Sequence, residues 1–171
     1  LGDMLGQLSD ELAPLATQKG LDFRIVLPRA TVRSDATFLR RILQNLISNA
    51  VRYTISGKVL VGARRCGNAL RIEVHDTGPG IPRDQHQRVF DEFHRLNTPS
   101  RPIEGVGLGL TIVKRACELL DHPLQLRSEV GRTMFSVLLP LSCPQESKEP
   151  APIDGHEHAV LPSAIVLLIE N

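Results

Sequence analysis

The most regular pattern in the sequence is a series of apolar pairs that repeats every four residues. The pairs are Phe38/Leu39, Ile42/Leu43, Leu46/Ile47 and Ala50/Val51. This spacing places the apolar side chains on one face of an α-helix. Asp35 precedes the series and carries the kind of side chain that commonly caps a helix N-terminus. The pattern therefore predicts a long amphipathic helix with one buried face.

The first 27 residues predict a helix followed by a strand. Leucines at helical spacing cover residues 1–19, and we expect Pro14 and Gly20 to end that helix. From Leu21 to Leu27 apolar and polar residues alternate, which is typical of a half-buried strand. The strand is expected to end before Pro28.

The rest of the sequence predicts two hairpins, a short helical segment that reaches Phe93, and another helix. The hairpin strands are expected at residues 58–64 with 69–75 and at 124–128 with 133–139, and the helix at about 108–120. Helices and strands alternate without a regular order. We therefore expect an α/β (α+β) two-layer sandwich, in which helices cover one face of a mixed, largely antiparallel sheet.

Composition limits the class of protein. Lys and Arg number 20 against 19 for Asp and Glu, and this balance argues against a nucleic-acid-binding surface. Cys66, Cys117 and Cys143 are odd in number and not closely paired, which favours a reducing compartment. No apolar stretch approaches the roughly 18–20 residues of a membrane span. We therefore expect a cytoplasmic chain, which leaves open a membrane-bound parent.

The sequence predicts one main domain at residues 20–140. Residues 141–163 are rich in proline and charge and are expected to form a linker. Residues 164–171 end the chain with a short apolar run. We therefore place the candidate chemistry within residues 20–140.

Three polar residues form the first candidate site. Asn45, Asn49 and Arg52 lie four and three residues apart, so they share one stripe of the predicted helix. Amide oxygens could ligate Mg²⁺, and the guanidinium group could bind phosphate. The alternative is that both amides lie at the solvent edge or bond to a neighbouring loop.

Two glycine-containing segments add further candidates. Asp76 ends a predicted strand and is followed by Gly78, Gly80 and Ile81. Its carboxylate could accept a hydrogen bond from the amino group of adenine. The alternative is an ordinary turn. The second segment leads into the helix near residue 108, where the first turn would favour phosphate. The alternative for this segment, taken alone, is a plain flexible hinge. The segment comprises Gly105, Val106, Gly107, Leu108, Gly109 and Leu110.

Taken in order, these segments resemble the ATPase superfamily of gyrase, the 90-kilodalton heat-shock chaperone and histidine kinases, most closely the sensor histidine kinases. Residues 43–54 are similar to the N box, 76–81 to the G1 box, 89–93 to the F box and 105–110 to the G2 box. The resemblance covers about residues 21–140 and implies a Bergerat-type ATP-binding fold. It implies ATP and Mg²⁺ as cofactors.

The resemblance also implies roles for individual residues. Asn49 would ligate Mg²⁺, Asn45 would line the phosphate site, and Tyr53 would pack near the adenine that Asp76 reads. Phe90 and Phe93 would anchor one end of an ATP lid. Hydrolysing members of the superfamily carry a glutamate where this chain has Asn45, and an amide cannot act as a general base. We therefore expect phosphoryl transfer to a histidine.

The recipient histidine is expected on a helical hairpin domain of the same or a partner subunit. None of the six histidines fits that role, and residues 1–19 are interpreted as the end of the hairpin. We expect the chain to bind ATP without phosphorylating itself. A response-regulator receiver domain is a further expected partner, because residues 165–171 are similar to its first strand; a terminal tail is the alternative. The full-length protein is expected to be a homodimer.

Several positions depart from the family pattern. Arg52 replaces the usual lysine, His122-Pro123 replaces a common glycine pair, and the turn at Gly131 lacks a second glycine. Two other functions stay open: an anti-sigma-type serine kinase of the same fold, and a pseudokinase docking module without nucleotide.

Overall fold

The computed structural model describes residues 1–94 and 107–142. Within them the chain forms three α-helices and five strands, joined in part by two short 3-10 helices at Arg83–Gln85 and Arg88–Phe90. The elements in chain order are α1 (Gly2–Gln18), β1 (Asp22–Ile25), α2 (Ala36–Tyr53), β2 (Lys58–Cys66), β3 (Ala69–Asp76), α3 (Gly109–Leu119), β4 (Leu124–Glu129) and β5 (Arg132–Pro140).

The described strands form one sheet in the order β1-β2-β3-β5-β4. β1 pairs parallel with β2, and every other pairing is antiparallel. The parallel pair is connected through α2, as a crossover between parallel strands requires. The predicted two-layer fold with a mixed, largely antiparallel sheet is confirmed.

The helices cover the face of the sheet that carries the core. α2 buries the apolar pairs that the sequence predicts except for Phe38, which is 38% exposed; Ile42, Leu43 and Ile47 are at 0% exposure. Asp35 caps this helix, and its Oδ1 accepts a hydrogen bond of 2.9 Å from the amide of Phe38. The opposite face of the sheet is polar at its centre, where Glu73 lies 2.8 Å from an Arg64 nitrogen.

The expectation that Pro14 helps to end the first helix is wrong. α1 continues through Pro14 to Gln18. Leu8 and Ala16, on either side of the proline, are buried at 0% and 1% exposure, so packing offsets the lost backbone hydrogen bond. The helix is followed by Lys19 as its C-cap residue and by Gly20, whose φ of 65° is the left-handed conformation that glycine adopts readily after a helix.

α1 contributes to the same core as α2 and the sheet, because Leu5 and Leu8 belong to that apolar cluster. The interpretation of residues 1–19 as the end of a helical hairpin stays a prediction. Of the predicted linker, Leu141 and Ser142 still donate backbone hydrogen bonds, to Asn68 and Thr31. The remainder of the linker and the apolar run at 164–171 lie outside the described residues.

Two further findings concern the cysteines and the helices. Cys66 and Cys117 are free thiols, and burial raises the pKa of the Cys117 thiol to about 11, with a smaller contribution from Glu118. Across residues 1–94 and 107–142, we find no helix with the length and apolar character that crossing a bilayer requires.

Candidate functional site

The polar stripe of α2 faces the start of α3. Asn45 and Asn49 are both half-buried, and the Asn45 amide nitrogen donates to the Arg41 carbonyl at 2.7 Å. The other end of the Asn45 amide is directed at Gly109, because a Cβ placed on that glycine would lie 2.9 Å from Oδ1. The same Cβ would lie 3.7 Å from the Asn49 amide nitrogen. The two asparagines and the first turn of α3 therefore border one space.

The first turn of α3 has the features of an anion-binding helix terminus. Leu108 is its N-cap residue and makes no side-chain capping hydrogen bond. The backbone N–H groups of that turn thus point outward at the positive end of the helix dipole. Gly107 precedes it with φ 75°, and Leu110 packs against the core. Gly105 and Val106 lie outside the described residues.

Asp76 ends β3 near the C-terminal end of α2. Its side chain is 8% exposed, and Oδ1 accepts a 2.8 Å hydrogen bond from the amide of Gly78. Burial raises the pKa of this carboxyl, and the hydrogen bond from Gly78 and the charge of His75 oppose the rise. A buried carboxylate of this kind gains from a ligand that donates a hydrogen bond.

Gly78 brings the turn at residues 76–81 against the end of α2. A Cβ on Gly78 would lie 2.8 Å from Asp76 Oδ1 and 3.5 Å from both the Tyr53 carbonyl oxygen and Thr54 Oγ1. Only glycine fits this approach without displacement. Tyr53, 36% exposed, therefore lies beside the Asp76 turn, as the sequence predicts for a shared pocket.

Thr54, the last residue of the N-box segment, takes a structural role at the candidate site that the sequence does not indicate. It is fully buried, and its amide and its hydroxyl both donate to the Ala50 carbonyl, at 3.1 and 2.7 Å. These bonds end α2 immediately after Tyr53. The residue type gives no signal from sequence alone, since a threonine after a helix is common in structures without any site.

Ser128 is a second such residue, and it binds the turn at residues 76–81 from the β4–β5 hairpin. Its Oγ accepts a 2.8 Å hydrogen bond from the amide of Ile81 and lies 3.0 Å from the Thr133 hydroxyl. Gly80 adopts φ 80°, and a Cβ there would collide with the Glu129 carbonyl. The β4–β5 hairpin thus forms the back wall of the Asp76 turn. This contact joins residues about 50 apart, which sequence spacing does not predict.

The two phenylalanines predicted to anchor the lid behave differently. Phe90 packs edge-on against Phe135 with ring centroids 6.3 Å apart, and its carbonyl accepts a 2.9 Å hydrogen bond from the Thr111 hydroxyl. Phe93 is 65% exposed and has φ 60°, so it is not an apolar anchor. It does lie next to Gly107, whose added Cβ would be 3.2 Å from the Phe93 Cα.

The residues of the stripe suit a magnesium ion held jointly with phosphate. In the described parts of the chain, no group of three or more His, Cys, Asp and Glu residues is arranged to hold a metal. Mg²⁺ commonly uses one or two protein oxygens and takes its other ligands from phosphates and water. The half-buried amide of Asn49, with Asn45 beside it and Arg52 exposed on the next turn, fits that coordination.

Comparison with known proteins identifies the class. The chain belongs to the histidine kinase-, DNA gyrase B-, and HSP90-like ATPase family, whose model matches residues 34–142. Its curated relatives include several sensor histidine kinases. The predicted family and fold are thereby confirmed.

Two curated relatives and one solved structure illustrate the similarity. The aerobic respiration control sensor protein ArcB of Escherichia coli (strain K12) is 33% identical over 98% of this chain and 22% of its own length. The circadian input-output histidine kinase CikA of Synechococcus elongatus is 39% identical over 81% and 18%. The crystal structure of full-length ShkA in complex with AMPPNP superposes with a TM-score of 0.71 and 31% identity over 82% and 30%.

This chain is much shorter than its relatives. It covers 26% of the first curated relative, the sensor histidine kinase AtsR of Burkholderia thailandensis, and 22% of ArcB. The activity and the partners of the whole protein are therefore matters for proposal.

Proposed function

We propose that this domain binds Mg·ATP between α2, the turn at residues 76–81 and the start of α3, and that it donates the γ-phosphate to a histidine on a separate hairpin domain. One observation carries the proposal. Gly109 abuts Asn45 and Asn49 along α2, and Gly78 abuts Tyr53 and Thr54 at its end. One helix thus borders both the anion-binding turn and the buried carboxylate.

The adenine end of the proposed pocket is at Asp76. Since Oδ1 already accepts from Gly78, we assign the remaining acceptor capacity of the carboxylate to the exocyclic amine of adenine. Gly78 keeps the backbone beside Asp76 clear of a side chain, Gly80 lets the turn pack against the β4–β5 hairpin, and Tyr53 and Ile81 supply apolar surface for the base. The solved ShkA complex contains AMPPNP, a nucleotide analogue, which supports the choice of ligand.

The phosphate end is at the asparagine stripe and the first turn of α3. We assign Asn49 to Mg²⁺, Asn45 to the phosphate site and Arg52 to phosphate charge. Backbone N–H groups from Gly107 onward complete the anion site. We also assign Leu108, Leu110 and Phe93 to the border of this site; Gly105 and Val106, which the sequence adds to it, lie outside the described residues. Bound Mg²⁺ would supply charge neutralisation for phosphoryl transfer.

Transfer is favoured over hydrolysis because Asn45 cannot take a proton from water. Its amide nitrogen is moreover engaged with the Arg41 carbonyl. The recipient we propose is a histidine on a hairpin domain of the same or a partner subunit in a homodimer. A receiver domain is the proposed next acceptor, because residues 165–171 are similar in sequence to the first strand of such a domain.

Calorimetric titration with Mg·ATP tests the nucleotide site. Loss of a hydrogen bond to a charged group is expected to weaken binding by about tenfold or more in Asn49→Ala and Asp76→Ala. Asn68→Ala, in the exposed β2–β3 turn, and Asp10→Ala, exposed on α1, are matched controls that should bind as the wild type does. Wild-type binding that neither site variant weakens would exclude this site.

A transfer assay tests the reaction. With γ-labelled ATP, label should appear on a histidine-bearing hairpin domain supplied in trans, and the Asn49→Ala variant should lose this activity. Phosphate release without the hairpin should stay at the level of the uncatalysed reaction. Rapid release of inorganic phosphate by the chain alone would show that it is an ATP hydrolase instead.

A further inference from the structure

Lys19 connects the end of α1 to the end of α2. Its ammonium group donates to two backbone carbonyls, those of Val51 and Arg52, each at 2.7 Å. Lys19 is half-buried and is the C-cap residue of α1. The two hydrogen bonds span more than 30 residues of sequence, so they join helices that are far apart in the chain.

The two carbonyls belong to the last turn of α2, which has no helical partners for them. The last four carbonyls of a helix are unsatisfied within the helix, and they form the negative end of its dipole. A cation that donates to two of these carbonyls holds the orientation of the turn and offsets the negative end of the helix dipole. The turn carries Arg52 and Tyr53, which we assign to the phosphate and the adenine.

A second contact ties the same junction to the loop that follows α2. The amide of Asp22, three residues after Lys19, donates to the Gly57 carbonyl at 2.9 Å. Gly57 in turn lies against Thr77, because a Cβ on the glycine would be 3.4 Å from the Thr77 Cβ. The Thr77 hydroxyl accepts a 2.9 Å hydrogen bond from the Lys58 amide. The loop between α2 and β2 is therefore held between the α1–β1 junction and the Asp76 turn.

We propose that Lys19 is a positioning residue for nucleotide binding: held by α1, it sets the last turn of α2 and thereby the placement of Arg52 and Tyr53 toward Mg·ATP. This proposal rests on the proposed function. A displacement of α1 would then change nucleotide affinity through Lys19 at its C-terminal end. Lys19 itself is not a ligand of the nucleotide.

The test compares Lys19→Met, which removes both donors and the charge, with Lys19→Arg, which retains them. Lys114→Met is the matched control, because it removes the same charge from an exposed position of α3. We expect Lys19→Met to bind Mg·ATP about three- to tenfold more weakly, the range expected for a charge at a helix terminus. Lys19→Arg should stay within about twofold of the wild type and Lys114→Met should match it.

A second readout separates positioning from general destabilisation. In Lys19→Met, amide hydrogen exchange should accelerate at Tyr53 and Thr54, while Val74 in the centre of β3 keeps its wild-type rate. If Lys19→Met does not fold, Lys19→Gln, which retains neutral donors, replaces it with the same expected order of affinities. The proposal is overturned if Lys19→Met binds as tightly as the wild type, or if Lys19→Arg is as weak as Lys19→Met. A wild type that binds no ATP would instead overturn the proposed function and this proposal with it.

Discussion

Replacing Gly80 by alanine tests how closely the β4–β5 hairpin packs behind the Asp76 turn. The new Cβ would collide with the Glu129 carbonyl oxygen, lie 2.8 Å from its carbonyl carbon and lie 3.2 Å from the Val130 Cα. All three are backbone atoms, so no side chain can rotate away. Either the hairpin or the turn must move.

The expected loss of stability has two parts. Holding a non-glycine residue at φ 80° costs about 1–2 kcal/mol. Forcing a methyl group into a well-packed contact adds about 1–3 kcal/mol. Gly131→Ala separates the two parts, because Gly131 has φ 77° and a Cβ there meets nothing within 4 Å.

The assay is urea unfolding followed by circular dichroism, with Mg·ATP affinity measured on each variant. We expect Gly80→Ala to lose about 2–5 kcal/mol and Gly131→Ala about 1–2 kcal/mol, with weaker ATP binding only in the former. Because Gly131 lies in the same hairpin, Gly67→Ala, at φ 59° in a distant open turn, is a second control. Equal losses in Gly80→Ala and Gly131→Ala would refute the close contact.

Three further predictions concern single side chains. Ser128→Ala should lower the free energy of unfolding by about 1–3 kcal/mol, because it leaves the Ile81 amide without its hydrogen-bond acceptor. An unchanged urea midpoint would contradict this. Leu8→Ala should cost about 2–5 kcal/mol, and Leu15→Ala, at a position 41% exposed on the same helix, should cost much less in the same assay. Burial lowers the pKa of His122 below its usual 6.5, so the unfolded state binds the proton more readily and stability should fall as pH drops below 6.5. Unfolding curves at several pH values should show this slope in the wild type and lack it in His122→Gln.

Most of the fold follows from local patterns. The apolar pairs and the Asp35 cap define α2 because both signals lie within one helix. Pro14 misleads because the burial of Leu8 and Ala16, which keeps α1 helical past the proline, depends on tertiary packing. The pairing of β3 with β5 is likewise invisible in the sequence, where β4 is the nearer strand.

The site is predictable where the chemistry is carried by motif residues. Asn45, Asn49 and Asp76 are predicted from residue type and spacing, and the structure places the two asparagines along α2 and Asp76 near its C-terminal end. Ser128 and Lys19 are not identified, because each acts on a backbone group of a distant segment. Such contacts leave no periodicity and no motif in the sequence.

The strand order has a consequence for how the protein is made. β5 is the last described strand in the chain, yet it lies between β3 and β4. Until residue 140 has left the ribosome, β3 has one open edge and β4 has no neighbour, which is the arrangement most exposed to wrong pairing. Thr133, the register partner of Asp76, also belongs to β5. The sheet around Asp76 can therefore be completed only after β5 has been translated.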